Sequence, residues 1–238
     1  MTPLDVVALV WFVIVWLGYG WIADHVPGRP IGLNHHMVTL RRVWMARMLQ
    51  RENRILDSQL IGHSIHSVTF FASTTMLVLA GLLSMFGAVD RIHAVVGEVS
   101  FAAPASRSFF ELKVLLLIAL FIHGFFKLTW SLRQYNYLLA LIGSAPLPPV
   151  VGAEAAACAH ANGAVMSQAV SSFTAGLRAY YFSFAALAWF VQPWLFIAST
   201  TLMLAVLINR QIRSPTFKAI ATRARQLGDP PDRASQGG

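Results

Sequence analysis

Four apolar blocks punctuate the chain, and each is long enough to raise the question of a membrane. The first, Val6 to Ala23, has no charged residue and carries Trp11, Trp16, Tyr19 and Trp21. As a helix it spans roughly 30 Å of hydrocarbon with aromatics toward its end. No Lys or Arg precedes it, so it is expected to be a permanent first helix rather than a signal peptide. The second block, Ser58 to Val89, is densest from Val68 onward and predicts a second crossing. In the third, only Val114 to Phe126 lies between Lys113 and Lys127. At about 1.5 Å per residue that is roughly 20 Å, short of the hydrocarbon core, so the helix must pass one or both lysines, which then snorkel or pair. Trp130 is expected at the interface.

The fourth block, Ala179 to Asn209, is 31 residues long with Pro193 near its middle, too long for one untilted crossing. Charge placement decides how to divide it. Residues 23 to 67 carry Arg29, Arg41, Arg42, Arg47, Arg51 and Arg54, and the stretch after Asn209 carries Arg210, Arg213, Lys218, Arg223, Arg225 and Arg233. One crossing per block would put these two basic segments on opposite faces, against the positive-inside rule. A pair of helices turning near Gln192 and Pro193 puts both in the cytoplasm, and a residue before proline is biased away from helix. The first arm then borrows from Ser167 to Arg178, rich in small and hydroxyl residues suited to helix packing; a re-entrant pair gives the same parity. The expected topology has the N-terminus and the 90 to 110 loop outside and the C-terminus inside.

Between blocks, SAPLPP at Ser144 to Pro149 predicts a loop and Ala153 to Ala164 an alanine-rich helix or turn. GDPPDRASQGG at the end reads as disordered. The expected fold is all-α, a polytopic bundle of about five membrane helices with a cytoplasmic amphipathic helix. Residues 1–215 would form one integral-membrane domain and 216–238 a basic, largely disordered tail. No internal repeat stands out, so the inverted-repeat signature of many transporters is not visible.

Composition agrees. The 238 residues are 56% hydrophobic and only 12% charged, with mean hydropathy +0.60, far from the roughly 25% charged residues of soluble domains. The net charge of +8 fits cytoplasmic loops that fix orientation before it suggests nucleic acid. A groove for single strands would interleave exposed aromatics with its basic residues, whereas Trp44, the one aromatic among these arginines, faces the apolar side. Cys158 is the one cysteine, which excludes an internal disulfide and a multi-cysteine metal site.

Within residues 37–57 a helical period places Met37, Leu40, Trp44, Met48 and Ile55 on one side, with Val38, Met45, Leu49 and Leu56 adjoining. Arg42, Arg47, Arg51 and Arg54 fall opposite. The prediction is a basic amphipathic helix leading straight into the second crossing, with Arg42, Arg47 and Arg51 meeting anionic lipid headgroups. Arg41 and Glu52 project into the apolar arc. They either snorkel or join Arg54 and Asp57 in a polar network under the bundle.

His63 and His66 are three apart, followed by Ser67, Thr69, Ser73 and Thr74, while His123 and Lys127 are four apart in the third block. Under the expected topology these sets share the cytoplasmic half. Ionisable side chains inside a membrane are candidates for a proton path, an anion pocket or a ligand cage, although interhelical hydrogen bonds of about 0.6 to 2 kcal/mol each would also account for them. A b-type haem between His66 and His123 is chemically possible. GHSIH at Gly62 to His66 lacks the last glycine and the strand of a nucleophile elbow. HExxH, the P-loop and GxGxxG are absent.

The run RRVWMARMLQRENRILDSQLIG at Arg41 to Gly62, with SxTFFASTT at Ser67 to Thr75, resembles the most recognisable stretch of a bacterial membrane family catalogued as domain of unknown function 599. RAYYF at Arg178 to Phe182, with Pro193 after Trp189, is similar to that family's last hydrophobic region. The resemblance covers about residues 5 to 215. It implies a polytopic bacterial inner-membrane protein and carries no activity, cofactor or catalytic residue with it.

Two classes of function stay open. One is a non-enzymatic scaffold or regulator of a membrane complex, with a membrane-protein partner or a second copy engaged through the arginine helix and basic tail. The other is a small transporter or channel-like protein lined by His63, His66, Ser67, His123 and Lys127. Haem or metal carriage is a third expectation, and an enzyme is unsupported.

Overall fold

The computed structural model describes residues 2–25, 33–88 and 106–228. Arg29, most of the 90 to 110 loop and the GDPPDRASQGG tail after Gly228 lie outside them. The described residues form helices α1 (Pro3–His25), α2 (Leu33–Leu49), α3 (Ile55–Phe86), α4 (Arg107–Gly143), α5 (Gly152–Leu187), α6 (Pro193–Ile212) and α7 (Pro215–Gly228), with a 3-10 turn over Ala188–Phe190 between α5 and α6. Among the described residues four stretches are long and apolar enough to cross a membrane, Pro3–Ile22, Ile55–Phe86, Arg107–Gly143 and Pro193–Gly228, one fewer than the five expected, because Gly152–Leu187 is not apolar enough to count. The chain is thus a multi-pass, all-α membrane protein.

The break in the fourth block falls where the proline predicts it. The amides of Val191 and Gln192 both bond back to the Ala188 carbonyl, and Pro193 opens α6, where its missing N–H costs nothing. The first arm reaches further back than Ser167, because the alanine-rich stretch joins it as one helix from Gly152. Likewise α4 runs well past both lysines. The region expected to be largely disordered from residue 216 is helical to Gly228. Ser214 caps it by accepting the Phe217 N–H at 3.1 Å, Pro215 occupies its first position, and Ala221 and Ala224 are buried.

One further expectation changes. Residues 37–57 are not one helix: α2 stops at Leu49 and α3 starts at Ile55, with Gln50 and Arg51 closing a last turn on the carbonyls of Arg47 and Met48. Asn53 Oδ1 then accepts the Ile55 N–H at 2.9 Å and starts the next helix.

Two compact units make up the chain. The first comprises Met1–Pro27, Ser67–Trp130 and Ser172–Leu207. In it Thr2 and Asp5 cap α1 reciprocally, Thr2 N–H to Asp5 Oδ2 at 2.8 Å and Asp5 N–H to Thr2 Oγ1 at 3.3 Å. Ala8, Phe12, Val15 and Tyr19, one face of α1, pack with Leu117, Leu120, Phe182, Ala186, Trp189 and Phe196. The other faces of α1 are also apolar: Val7, Val10, Ile14 and Leu17 are exposed, as expected of a helix solvated by lipid. Thr75 and Tyr180 share a hydrogen bond of 2.7 Å, and the tyrosine hydroxyl also donates to the Phe71 carbonyl at 2.9 Å.

The second unit comprises Gly28–His66, Ser131–Ser171 and Ile208–Gly238. Its buried side chains include Met45, Met48 and Leu49 of α2, Ile61 of α3, Leu138 of α4, Met166 of α5 and Ala221 and Ala224 of α7. Gly163 lets α5 meet α2 backbone to backbone, since a Cβ there would lie 3.1 Å from the Arg42 Cα and 3.3 Å from its nitrogen.

Candidate functional site

In the second unit the polar residues of the arginine-rich stretch from Arg41 to Asp57 divide into three arrangements. Arg41 is buried and its Nη1 donates to Ser167 Oγ at 3.5 Å; Tyr135, hydrogen-bonded to Ser64, also interacts with it electrostatically. Arg54 reaches the 144–149 loop, donating to the carbonyls of Ala145 at 3.2 Å and Pro146 at 2.6 Å. Asp57 has no exposed surface, and its Oδ1 accepts both the Trp44 indole N–H at 2.6 Å and Arg51 Nη1 at 2.5 Å. Glu52 is exposed in the turn between α2 and α3. The expected network of Arg41, Glu52, Arg54 and Asp57 is therefore not formed among the described residues. Breaking the helix at Leu49 removes the register that put Glu52 on the apolar arc.

Arg42 and Arg47 are exposed, as their arc requires, and Arg51 is half-exposed beside Asp57. Arg47, Arg51 and Arg223 of α7 line a groove of about 380 Å³ together with apolar side chains that include Leu56 and Leu60. On the other side of α7, the His36 ring lies 5.7 Å from that of Phe217. Burial, followed by the nearby charges of His35 and Arg225, pushes the His36 imidazole below its ordinary pKa.

His63, His66 and Ser67 are all exposed. The buried face of α3 runs through Ile61, Val68, Ala72 and Thr75, so side chains two, five and six places after Ile61 turn away from it. His123 and Lys127, in contrast, are half-buried in the first unit and line a cleft of about 210 Å³ with Trp16, Gly20, Trp21 and Arg178. The His123 ring stands edge-on to Trp16 at 5.4 Å, and the buried Arg178 guanidinium lies 6.0 Å from the Tyr19 ring. The predicted polar lining is thus divided: His63 and His66 belong to the second unit, Ser67, His123 and Lys127 to the first.

The first unit also buries two opposite charges that the sequence pattern does not flag. Asp5 and Lys113 are 4% and 3% exposed, deep enough that neither can stand unpaired. Trp189 joins them: its indole N–H donates to Asp5 Oδ1 at 3.0 Å and its carbonyl accepts from Lys113 Nζ at 2.7 Å. The ammonium also lies 4.7 Å from the centre of the Phe109 ring. Lys113 is therefore held inside the bundle by the Trp189 carbonyl and the Phe109 ring rather than snorkelling. Among the described residues no group of three or more His, Cys, Asp or Glu side chains gathers to hold a metal ion.

A family model described as "Protein of unknown function, DUF599" matches residues 7–216. No curated protein and no solved structure matches the chain.

Proposed function

The chain belongs to this family of unknown function, and from that premise we propose a non-enzymatic scaffold or regulator of the bacterial inner membrane that works through a basic cytoplasmic layer of α2 and α7. The observation carrying this reading is the packing of α2 with α7 in one unit, seen in the His36 contact with Phe217 and in the groove shared by Arg47, Arg51 and Arg223. Two segments rich in Arg and Lys that pack together lie on one side of the membrane, and the positive-inside rule makes that side the cytoplasm. The N-terminus is then outside, and α5 and α6 make the fourth and fifth passes. In this reading the exposed Arg42 and Arg47 meet anionic headgroups, and the same face holds a membrane-protein partner or a second copy.

In-cell photocrosslinking from positions 42 and 223 tests the reading. A discrete protein adduct is expected from both, lost on reversing Arg47 to Glu and kept in His123→Ala and Lys127→Ala. No adduct from either position would defeat the scaffold role.

The cleft of His123, Lys127 and Arg178 favours a second reading, passage or binding of a small anion. Three basic side chains converge on it, and no carboxylate stands among its described lining residues. Under this reading His123→Ala or Lys127→Ala abolishes anion flux in reconstituted vesicles while the crosslinks are unaffected.

A further inference from the structure

The groove of α2, the first turns of α3 and α7 combines two properties that a single kind of molecule satisfies. Its lining is mostly apolar, and three arginines, Arg47, Arg51 and Arg223, stand among the described lining residues with no carboxylate. Leu56 and Leu60 are 59% and 45% exposed, and both belong to Ile55–Phe86, a stretch apolar enough to cross the membrane. The groove therefore opens where a membrane-crossing helix begins, at the level where hydrocarbon gives way to headgroups.

We propose that this groove holds an anionic phospholipid, its phosphate on Arg47, Arg51 and Arg223 and an acyl chain along Leu56 and Leu60. Guanidinium groups suit the site because each offers a planar fork of donors to phosphate oxygens. Asp57 acts as a positioning residue. Its buried Oδ1 holds both Arg51 Nη1 and the Trp44 indole, two side chains that themselves line the groove. The basic wall is thereby ordered before the lipid arrives, which lowers the entropy lost on binding. One carboxylate against three arginines leaves the rim cationic. Hydrophobic floor and cationic rim together exclude free phosphate as the natural occupant, because phosphate leaves the leucines uncovered.

The inference rests on the placement of α2 and α7 at the cytoplasmic membrane surface. It is tested with the full-length chain in nanodiscs of phosphatidylcholine doped with phosphatidylglycerol, released into mild detergent and read by native mass spectrometry. A retained phosphatidylglycerol adduct is expected, with phosphatidylcholine lost. Arg47→Gln and Arg223→Gln each lower retention about fivefold, the effect of one basic side chain at an anionic surface. Neither side chain touches Asp57, so these variants keep the fold, which helix content and elution volume verify. Leu56→Ser with Leu60→Ser also lowers retention, and Arg133→Gln, exposed on α4 and outside the groove, leaves it unchanged.

Equal retention of the two lipids, displacement by inorganic phosphate or a polyglutamate peptide, or an Arg133→Gln loss as large as that of Arg47→Gln would each overturn the site. A C-terminal reporter on the same chain separates the two ideas. A cytoplasmic signal without lipid selectivity removes the site alone; an external signal removes the orientation while leaving any selective adduct standing.

Discussion

Replacing Lys113 by Met keeps the length of the side chain and removes its charge, so it isolates what the ammonium does inside the first unit. It abolishes the 2.7 Å bond to the Trp189 carbonyl, and a hydrogen bond to a charged group contributes about 1.5–3 kcal/mol. It also removes the contact with the Phe109 ring at 4.7 Å, about 0.5–2 kcal/mol. The attraction between Lys113 and Asp5 goes as well, leaving a buried carboxylate held by Trp189 and Thr2 alone. The two contacts together come to about 2–5 kcal/mol. Asp5→Asn keeps an acceptor for the indole and should cost less, about 1–2 kcal/mol. Because each single change strands the other charge, the double variant should be less destabilised than the two costs added, by at least about 1 kcal/mol. Reversible unfolding in mixed micelles, followed by tryptophan fluorescence, reads all four corners of the cycle. Additivity within about 0.5 kcal/mol would show that Asp5 and Lys113 act independently and refute the account of Trp189 as the link between them.

Helix contact in the first unit gives a second prediction. A Cβ at Gly176 would lie 2.7 Å from Cγ of the fully buried Leu128, so Gly176→Ala should cost about 1–3 kcal/mol by overpacking in the same unfolding assay, with Leu128→Ala in the same chain recovering part of it. Arg54→Gln removes the grip on the carbonyls of Ala145 and Pro146; limited proteolysis should then cut at 144–151 faster, and an unchanged rate would mean the loop is held by other contacts. His36 supplies a pH effect of definite sign. Its imidazole is depressed in the fold below the ordinary 6.5, so the unfolded segment takes up the proton first and acidification loosens α7 from α2. Hydrogen-exchange protection of α7 should be constant above about pH 6.5 and fall as the pH drops below it, and the fall should vanish in His36→Gln.

The crossing helices are legible in the sequence because a membrane helix is apolar on every face, and α1 shows this directly with Val7, Val10, Ile14 and Leu17 exposed. The division of the fourth block is legible for a local reason, the proline. The end of α2 is not legible. Gln50, Arg51, Asn53 and Arg54 continue the polar arc, and what stops the helix is distant in sequence: Gln50 donates to the Val150 carbonyl at 2.6 Å and Arg54 holds Ala145 and Pro146. Arg41 announces itself as a charge on an apolar arc, but its partner Ser167 lies 126 positions away. The histidines mislead for a related reason. A spacing of three says that His63 and His66 are neighbours, not which way they face, and the burial of Ile61, Val68 and Thr75 turns them outward. Asp5 and Lys113 could be found by one added step: each is the charge at the start of an apolar block, and two blocks crossing in the same direction bring such ends to one level.

The central claim is that α2 and α7 form one cytoplasmic basic layer. Cysteine accessibility tests it directly, in a Cys158→Ser background that removes the native thiol. Arg42→Cys and Arg223→Cys change exposed side chains on α2 and α7. A membrane-impermeant maleimide should label neither in intact spheroplasts and both after permeabilisation. Labelling of either position in intact spheroplasts, or of one position and not the other, would contradict the account.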